Sequence, residues 1–293
     1  MFKEIAVEPA ALAASDLQFR YLIEKFGVAE GRLIAAFPSK WKRFVYQAAQ
    51  ARLRGTTELS KIEVRLRGLK DDLFYFRGRP GEGCAENWLA AAEAEHAREP
   101  FDAIIAAEGD ARGAVVPAHE LDAAHPCLQP NRQWHIERTA EVMARCCAPL
   151  LHAGSHIKLI DPHMDANNGR HRRPLVAFLR CVRPGARVDV FCGDGKRQDH
   201  LCRGIERALE LARPDGVEVR LYLRPQATLH NRYVLTEGGG LFFSTGLDDH
   251  DDGANRTDEV GVLESAIWLV QWEKYSGDDP VACWKWQKHK GGE

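Results

Sequence analysis

The second half of this chain alternates short apolar runs with amphipathic ones, and that alternation limits the fold more than any other feature. "HIKLID", "ARVDVFCG" and "GVEVRLYLR" read as strands, rich in β-branched residues. Between them, "RHRRPLVAFLRCV", closed by Pro184 and Gly185, and "RQDHLCRGIERALELA" carry helical spacing. Strands alternating with helices imply a mainly parallel sheet covered on both faces. "LHNRYVLTE", a "GGG" turn and "LFFSTGL" then predict a closing antiparallel hairpin. A long helix over "RQWHIERTAEVMARCCAPLLHAG" precedes these elements and a last helix, around "ESAIWLVQWEKY", follows them. The fold class is therefore α/β, a mixed, mainly parallel sheet sandwiched by helices.

A mostly helical α+β unit comes first. The proline-bearing stretch "VVPAHELDAAHPCLQPNRQ" reads as a linker and divides the chain into residues 1–128 and 129–293. In the first unit, "PSKWKRFVYQAAQARLRG" predicts a helix with Ser39 as N-cap and Gly55 as its stop. "CAENWLAAAEAEHAREP" predicts another helix, and "FDAIIAAE" a short buried strand. "ELSKIEVRLRGLKDDLFYFRG" fits both periods, and Gly68 with "LFYF" tips it towards a hairpin. His96 and His119 stand isolated, and no catalytic constellation is visible in this unit.

The 293 residues are 45% hydrophobic and 28% charged, as in an ordinary globular protein. No apolar run approaches the roughly 20 residues that span a bilayer. The acid-containing start, "MFKEIAVEPAALAASDLQF", is a poor secretion signal, so a cytoplasmic location is expected. The eight cysteines form no CxxC pair and no metal-ligand spacing, and read as reduced thiols. Charge is uneven along the chain. From His156 to Thr236 fifteen Lys and Arg face nine Asp and Glu, a net +6, whereas Glu237 to Asp279 carries a net −9. A basic section suits phosphate-bearing ligands, and equally a solvated helix face.

In open α/β sheets ligands collect at the carboxyl ends of the parallel strands. Two such ends carry polar groups here: Asp161, His163 and Asp165 in "IDPHMD", and Asp194, Lys196 and Arg197 in "FCGDGKR". His230 and Arg232 open the hairpin, and their i, i+2 spacing puts both on one face of a strand. An imidazole beside a guanidinium suits a phosphoryl group. The pair equally well caps a strand at the surface. The acidic run from Asp248 to Asp252 lacks calcium-loop spacing and reads as a solvated loop, with no metal expected.

His230-x-Arg232, with Glu237 five residues beyond and a glycine turn after it, resembles the HKD motif of the phospholipase D superfamily. Arg232 stands at its Lys position, Glu237 at its Asp position, and Ser244 to Leu247 where Gly-Ser-x-Asn would fall. Residues 157–275 more closely resemble the phospholipase D-like domain at the C-terminus of MIT-domain proteins and its bacterial relatives. The "IDPH" strand end, the "LVAFL" helix, His-x-Arg and Gly246-Leu247-Asp248 carry that resemblance. The first unit does not resemble an MIT domain.

The resemblance implies a metal-independent phosphodiesterase without cofactors, acting on nucleic acid, and its bacterial relatives suggest a nuclease of an anti-phage system. It implies His230 as nucleophile or acid, Arg232 as phosphate clamp and Glu237 as orienter. The second imidazole would come from His163 or from a second His230 in a homodimer. Lys196, Arg197, Ser244, Thr245 and Asp248 are the expected substrate-binding residues. The altered motif leaves a second reading open, a non-catalytic phosphate-binding or dimerisation module. In a third, the first unit is the active part and the second its sensor.

Overall fold

Ile5, Ala6 and Val7 are each no more than 1% exposed. Three consecutive buried apolar residues mark a strand covered on both faces, the signature of an interior parallel strand. In the computed structural model, which describes residues 1–122, 124–250 and 256–286, they lie at the centre of a five-stranded sheet. Its strands are β1 (Lys3–Val7), β2 (Arg32–Ala35), β3 (Phe74–Tyr75), β4 (Ala103–Ala106) and β5 (Val115–Pro117), in the order β3-β2-β1-β4-β5. Every neighbouring pair is parallel.

Among the described residues, the α-helices of this unit are α1 (Pro9–Leu12), α2 (Asp16–Ile23), α3 (Trp41–Leu53), α4 (Thr57–Gly68) and α5 (Trp88–Arg98). Strand alternation sends Ile5, Val7 and Ile105 to one side, where Leu12, Phe19, Leu22, Trp41, Val45 and Ile62 of α1 to α4 cover them. Ala6, Ala35, Ile104 and Ala106 turn the other way, onto Phe37, Trp88, Ala92 and Phe101.

Three local expectations are corrected here. The ambiguous stretch forms α4 and a two-residue strand in place of a hairpin. Thr56 caps the helix by accepting from Leu59 N–H, and Ile62 and Leu66, four apart, are both buried. The supposed linker supplies β5, whose Pro117 is tolerated because the strand lies at the sheet edge. Helix α3 starts one residue later than expected, with Lys40 as N-cap and no side chain capping it. The helix expected over residues 84–100 is present as Trp88–Arg98, and the buried strand expected over 101–108 as Ala103–Ala106. The chain divides into two compact units, Met1–Asn131 and Arg132–Glu293.

The second unit contains β6 (Gln133–Glu137), α6 (Ala140–Ala153), β7 (His156–Ile160), α7 (Gly169–Cys181), β8 (Arg187–Gly193), α8 (Gln198–Ala212), β9 (Glu218–Arg224), β10 (Arg232–Thr236), β11 (Gly239–Phe243), β12 (Thr257–Val262), α9 (Ser265–Lys274) and β13 (Ala282–Lys285). One mixed sheet runs β13-β9-β8-β7-β10-β11-β12-β6. The three central strands β7, β8 and β9 are parallel, and the strands outside them pair antiparallel. The expected hairpin is β10–β11, in register from Arg232↔Phe243 to Thr236↔Gly239.

The helix expected from Arg132 onward begins only at Ala140. Residues 133–137 alternate exposed and buried, with Trp134 and Ile136 inward, so they form β6. Thr139 then caps α6 through Val142 N–H. Trp268 and Trp272 of α9 pack on Ile160, Phe191, Tyr222 and Leu235. Strand alternation turns Ile157, Leu159, Val188 and Val190 to the opposite face, and all four are buried.

Candidate functional site

β10 runs antiparallel to β7, from Tyr233↔Ile160 to Thr236↔Ile157. The amino end of β10 therefore lies where β7 ends. β11 reverses again, so its carboxyl end returns to the same place. This topology gathers almost every residue singled out in the sequence onto one end of the sheet. Asp161 and His163 follow β7, Lys196 and Arg197 follow β8, His230 and Arg232 begin β10, and Ser244, Thr245 and Asp248 follow β11.

The loop after β7 is held firmly. Buried Asp161 accepts from His163 N–H (2.8 Å) and from Leu247 N–H (2.8 Å), tying the β7 and β11 loops together. Asp165 accepts from Lys196 Nζ at 2.7 Å and lies 3.2 Å from His200 Nε2. Burial alone would raise the Asp165 carboxyl, but these hydrogen bonds outweigh it and hold it well below the usual range. Two glycines allow the close packing. A Cβ on Gly193 would stand 2.8 Å from Pro162 O, and one on Gly204 would stand 2.8 Å from Asn167 N.

His163 is exposed, with Nδ1 3.4 Å from the Gln226 amide nitrogen. The two line a pocket of about 140 Å³ with Met164, Gly193, Gly195 and Lys196. A shallower basin beside it is lined by Lys196, Arg197, Asp199, His200 and Arg203. Arg197 is exposed and paired with Asp199 at 3.0 Å.

His230 is exposed just before β10. The guanidinium of half-buried Arg232 donates from Nη1 to His230 O at 3.1 Å, and its buried Nε has no partner among the described residues. The β7–β10 ladder ends at the pair Tyr233↔Ile160, and His163 and His230 each lie three residues beyond that pair, on the segments leaving β7 and entering β10. Both exposed imidazoles thus leave the same end of one strand pair.

The remaining residues of the motif do other work. Glu237 lies at the opposite end of β10, five residues and so roughly 17 Å along the strand from Arg232. There it accepts from Ser155 N–H, Ser155 Oγ–H and His156 N–H. The expectation that it orients the site is corrected. Ser244 and Thr245 sit at the site's end, yet both hydroxyls donate to Asp258 at 3.0 Å. Asp248, expected to bind substrate, is instead ion-paired to Arg138 and to Arg170, the latter at 2.6 Å. Asp249 receives two 2.6 Å bonds from Arg173. Of the acidic run, Asp251 and Asp252 lie outside the described residues.

Sequence reasoning missed His171, in the first turn of α7. Its Nδ1 is buried without a hydrogen-bond partner among the described residues. Burial pushes its pKa down, with the charges of Asp161, Asp248 and Asp165 opposing. Asn168 caps α7 by accepting from Arg170 N–H, and an asparagine before a helical run is a signal that could have placed His171 in the first turn. Gln226 carried no signal, because only the turn after β9 brings it to His163.

No protein-family model matches this chain, and no curated protein does. Among solved structures it is similar to the polyphosphate kinase of Porphyromonas gingivalis. That similarity is loose. Identity is 16% and the TM-score 0.35, over 52% of this chain and 27% of that one, so this chain spans about a quarter of that protein's length.

Proposed function

We propose that the second unit is a divergent phospholipase D-like domain that binds phosphodiesters and cleaves them without a metal, with nucleic acid as its substrate. The observation that supports the proposal is the antiparallel β7–β10 register, by which β7 ends where β10 begins, with His163 in the loop after β7, His230 just before β10 and the Arg232 guanidinium donating to His230 O. One imidazole attacks phosphorus and the other protonates the leaving oxygen, while the guanidinium holds non-bridging oxygens. Lys196 and Arg197, exposed on the adjoining loop, add positive charge for a polyanion. The relation to MIT-associated domains is part of this reading and rests on the residues quoted above.

A second reading, phosphate-ligand binding without cleavage, is favoured by one set of contacts. Glu237, Ser244 and Thr245, three residues at altered motif positions, are all engaged in holding the fold. Incubation with single- and double-stranded DNA and RNA in EDTA separates the two readings. Cleavage that disappears in both His230→Ala and His163→Ala supports the enzyme. Binding that persists with no cleavage of any polymer supports the module and ends the catalytic reading.

A further inference from the structure

The first unit has a cavity of about 230 Å³ at the carboxyl ends of its outer parallel strands, β2 and β3. Ala36 follows β2, Phe76 follows β3, and Ala36 N–H donates to Tyr75 O, so these two strand ends form one rim. This is the edge at which open parallel sheets take ligands. We propose that the cavity binds a planar aromatic anion of the nucleoside-phosphate class.

Its aromatic wall is Phe76, backed by two buried rings, Trp41 and Phe74. Trp41 is anchored by its indole N–H to Val7 O at 2.7 Å. The Trp41 and Phe74 rings meet edge-on at 5.5 Å, and Phe76 continues the row at 6.0 Å. Phe76 is 38% exposed, a large ring left open to solvent beside a cavity. Such a ring offers an offset-stacking platform at little entropic cost.

The rim is cationic. Lys40, Lys42 and Arg43 line the cavity against a single acid, Asp71. Lys42 is committed, with Nζ 2.6 Å from Leu69 O and 5.2 Å above the Phe74 ring. Lys40 and Arg43 are exposed. All three sit in or next to the first turn of α3, where no acid and no capping side chain is present. Cations there oppose the helix dipole, and a bound anion offsets that cost. A helix end alone would not make a site; the aromatic cavity beside it selects a ring carrying the anion.

Titration calorimetry of the full chain with AMP, ATP and inorganic pyrophosphate in EDTA tests this. Arg43→Glu is expected to weaken AMP and ATP at least tenfold, and Phe76→Ala to do the same while leaving pyrophosphate unchanged. Both positions are exposed, and Arg52→Glu, at an exposed position in the last turn of α3, is the charge-matched control. Nucleotide binding retained in Arg52→Glu and lost in the other two variants is the expected result. Absence of nucleotide binding at millimolar concentration, binding that survives Arg43→Glu and Phe76→Ala together, or loss only in Arg232→Ala, at the phosphate site of the second unit, overturns the proposal.

Discussion

Glu237 accepts hydrogen bonds from both the backbone N–H and the hydroxyl of Ser155, at 2.6 and 2.5 Å, and so fastens the β10–β11 turn to the start of β7. Burial would raise this carboxyl, but the Ser155 and His156 donors outweigh it and hold its pKa below the ordinary value. A depressed carboxylate contributes stability that is present above its unfolded pKa and lost as pH falls through the folded one. Glu237→Ala is expected to cost about 1 kcal/mol at neutral pH, with solvent exposure limiting the effect. That cost should shrink below about pH 4, while nucleic-acid binding stays unchanged. Urea melts at pH 7 and pH 3.5, with a binding assay beside them, check it.

Lys158 is fully buried in β7, where its ammonium lies 3.8 Å from the Trp272 ring centroid and donates to Trp272 O and Ser276 Oγ. Burial pulls its pKa down to about 8. Between that value and the unfolded lysine value of roughly 10.4, the unfolded chain binds more protons, so stability rises with pH. In Lys158→Met, Ser276 Oγ–H still satisfies Trp272 O at 2.8 Å. The variant should therefore lie within about 1 kcal/mol of the parent at pH 7 or exceed it, and should lose the rise above pH 8. Denaturant midpoints at pH 7 and pH 9.5 give the comparison.

Asp248 neutralises Arg138, whose side chain is 2% exposed, together with Arg170. Asp248→Ala leaves a buried guanidinium without this carboxylate and should destabilise the second unit by about 3 kcal/mol. Arg170→Ala removes only the more exposed partner and should cost about 1 kcal/mol or less. Equal losses for the two variants in denaturant melts would contradict the buried-pair account.

Arg232→Lys keeps the charge but loses the fork that can hold two phosphate oxygens. Nucleic-acid affinity is expected to fall about tenfold, or about 1.4 kcal/mol, with the slope of log affinity against log salt nearly unchanged. Lys196→Ala should instead reduce that slope by about one. Fluorescence anisotropy across a salt series distinguishes the two effects.

The strands β7, β8 and β9 and the hairpin β10–β11 were legible because each is a short apolar run bounded by turn residues, and length, flanking residues and β-branched content decide such segments. β6 was not, because "QWHIE" runs without a break into a strong helical pattern. Its partner β12 lies more than 100 residues away, so only that long-range pairing selects the strand. The stretch from Glu58 to Gly78 carried both periods, and burial of Ile62 and Leu66 on one face decided for helix. At the site, His163, His230 and Arg232 could be singled out by residue type. The part played by His171 and Gln226 could not, since their meaning comes from which loops share a sheet end.

By itself, the sequence determined the α/β class, the central parallel strands, the closing hairpin and the placing of His230 and Arg232 at its start. These follow from local periodicity and turn chemistry, which act over a few residues. Only the tertiary structure decided which way each polar group is spent. Strand direction sends Glu237 to the far end of β10, and Asp258 takes up the Ser244 and Thr245 hydroxyls. Arg138, drawn from more than 100 residues upstream, engages Asp248. A hydrogen bond or ion pair forms wherever folding brings donor and acceptor together, and no spacing along the chain records that meeting.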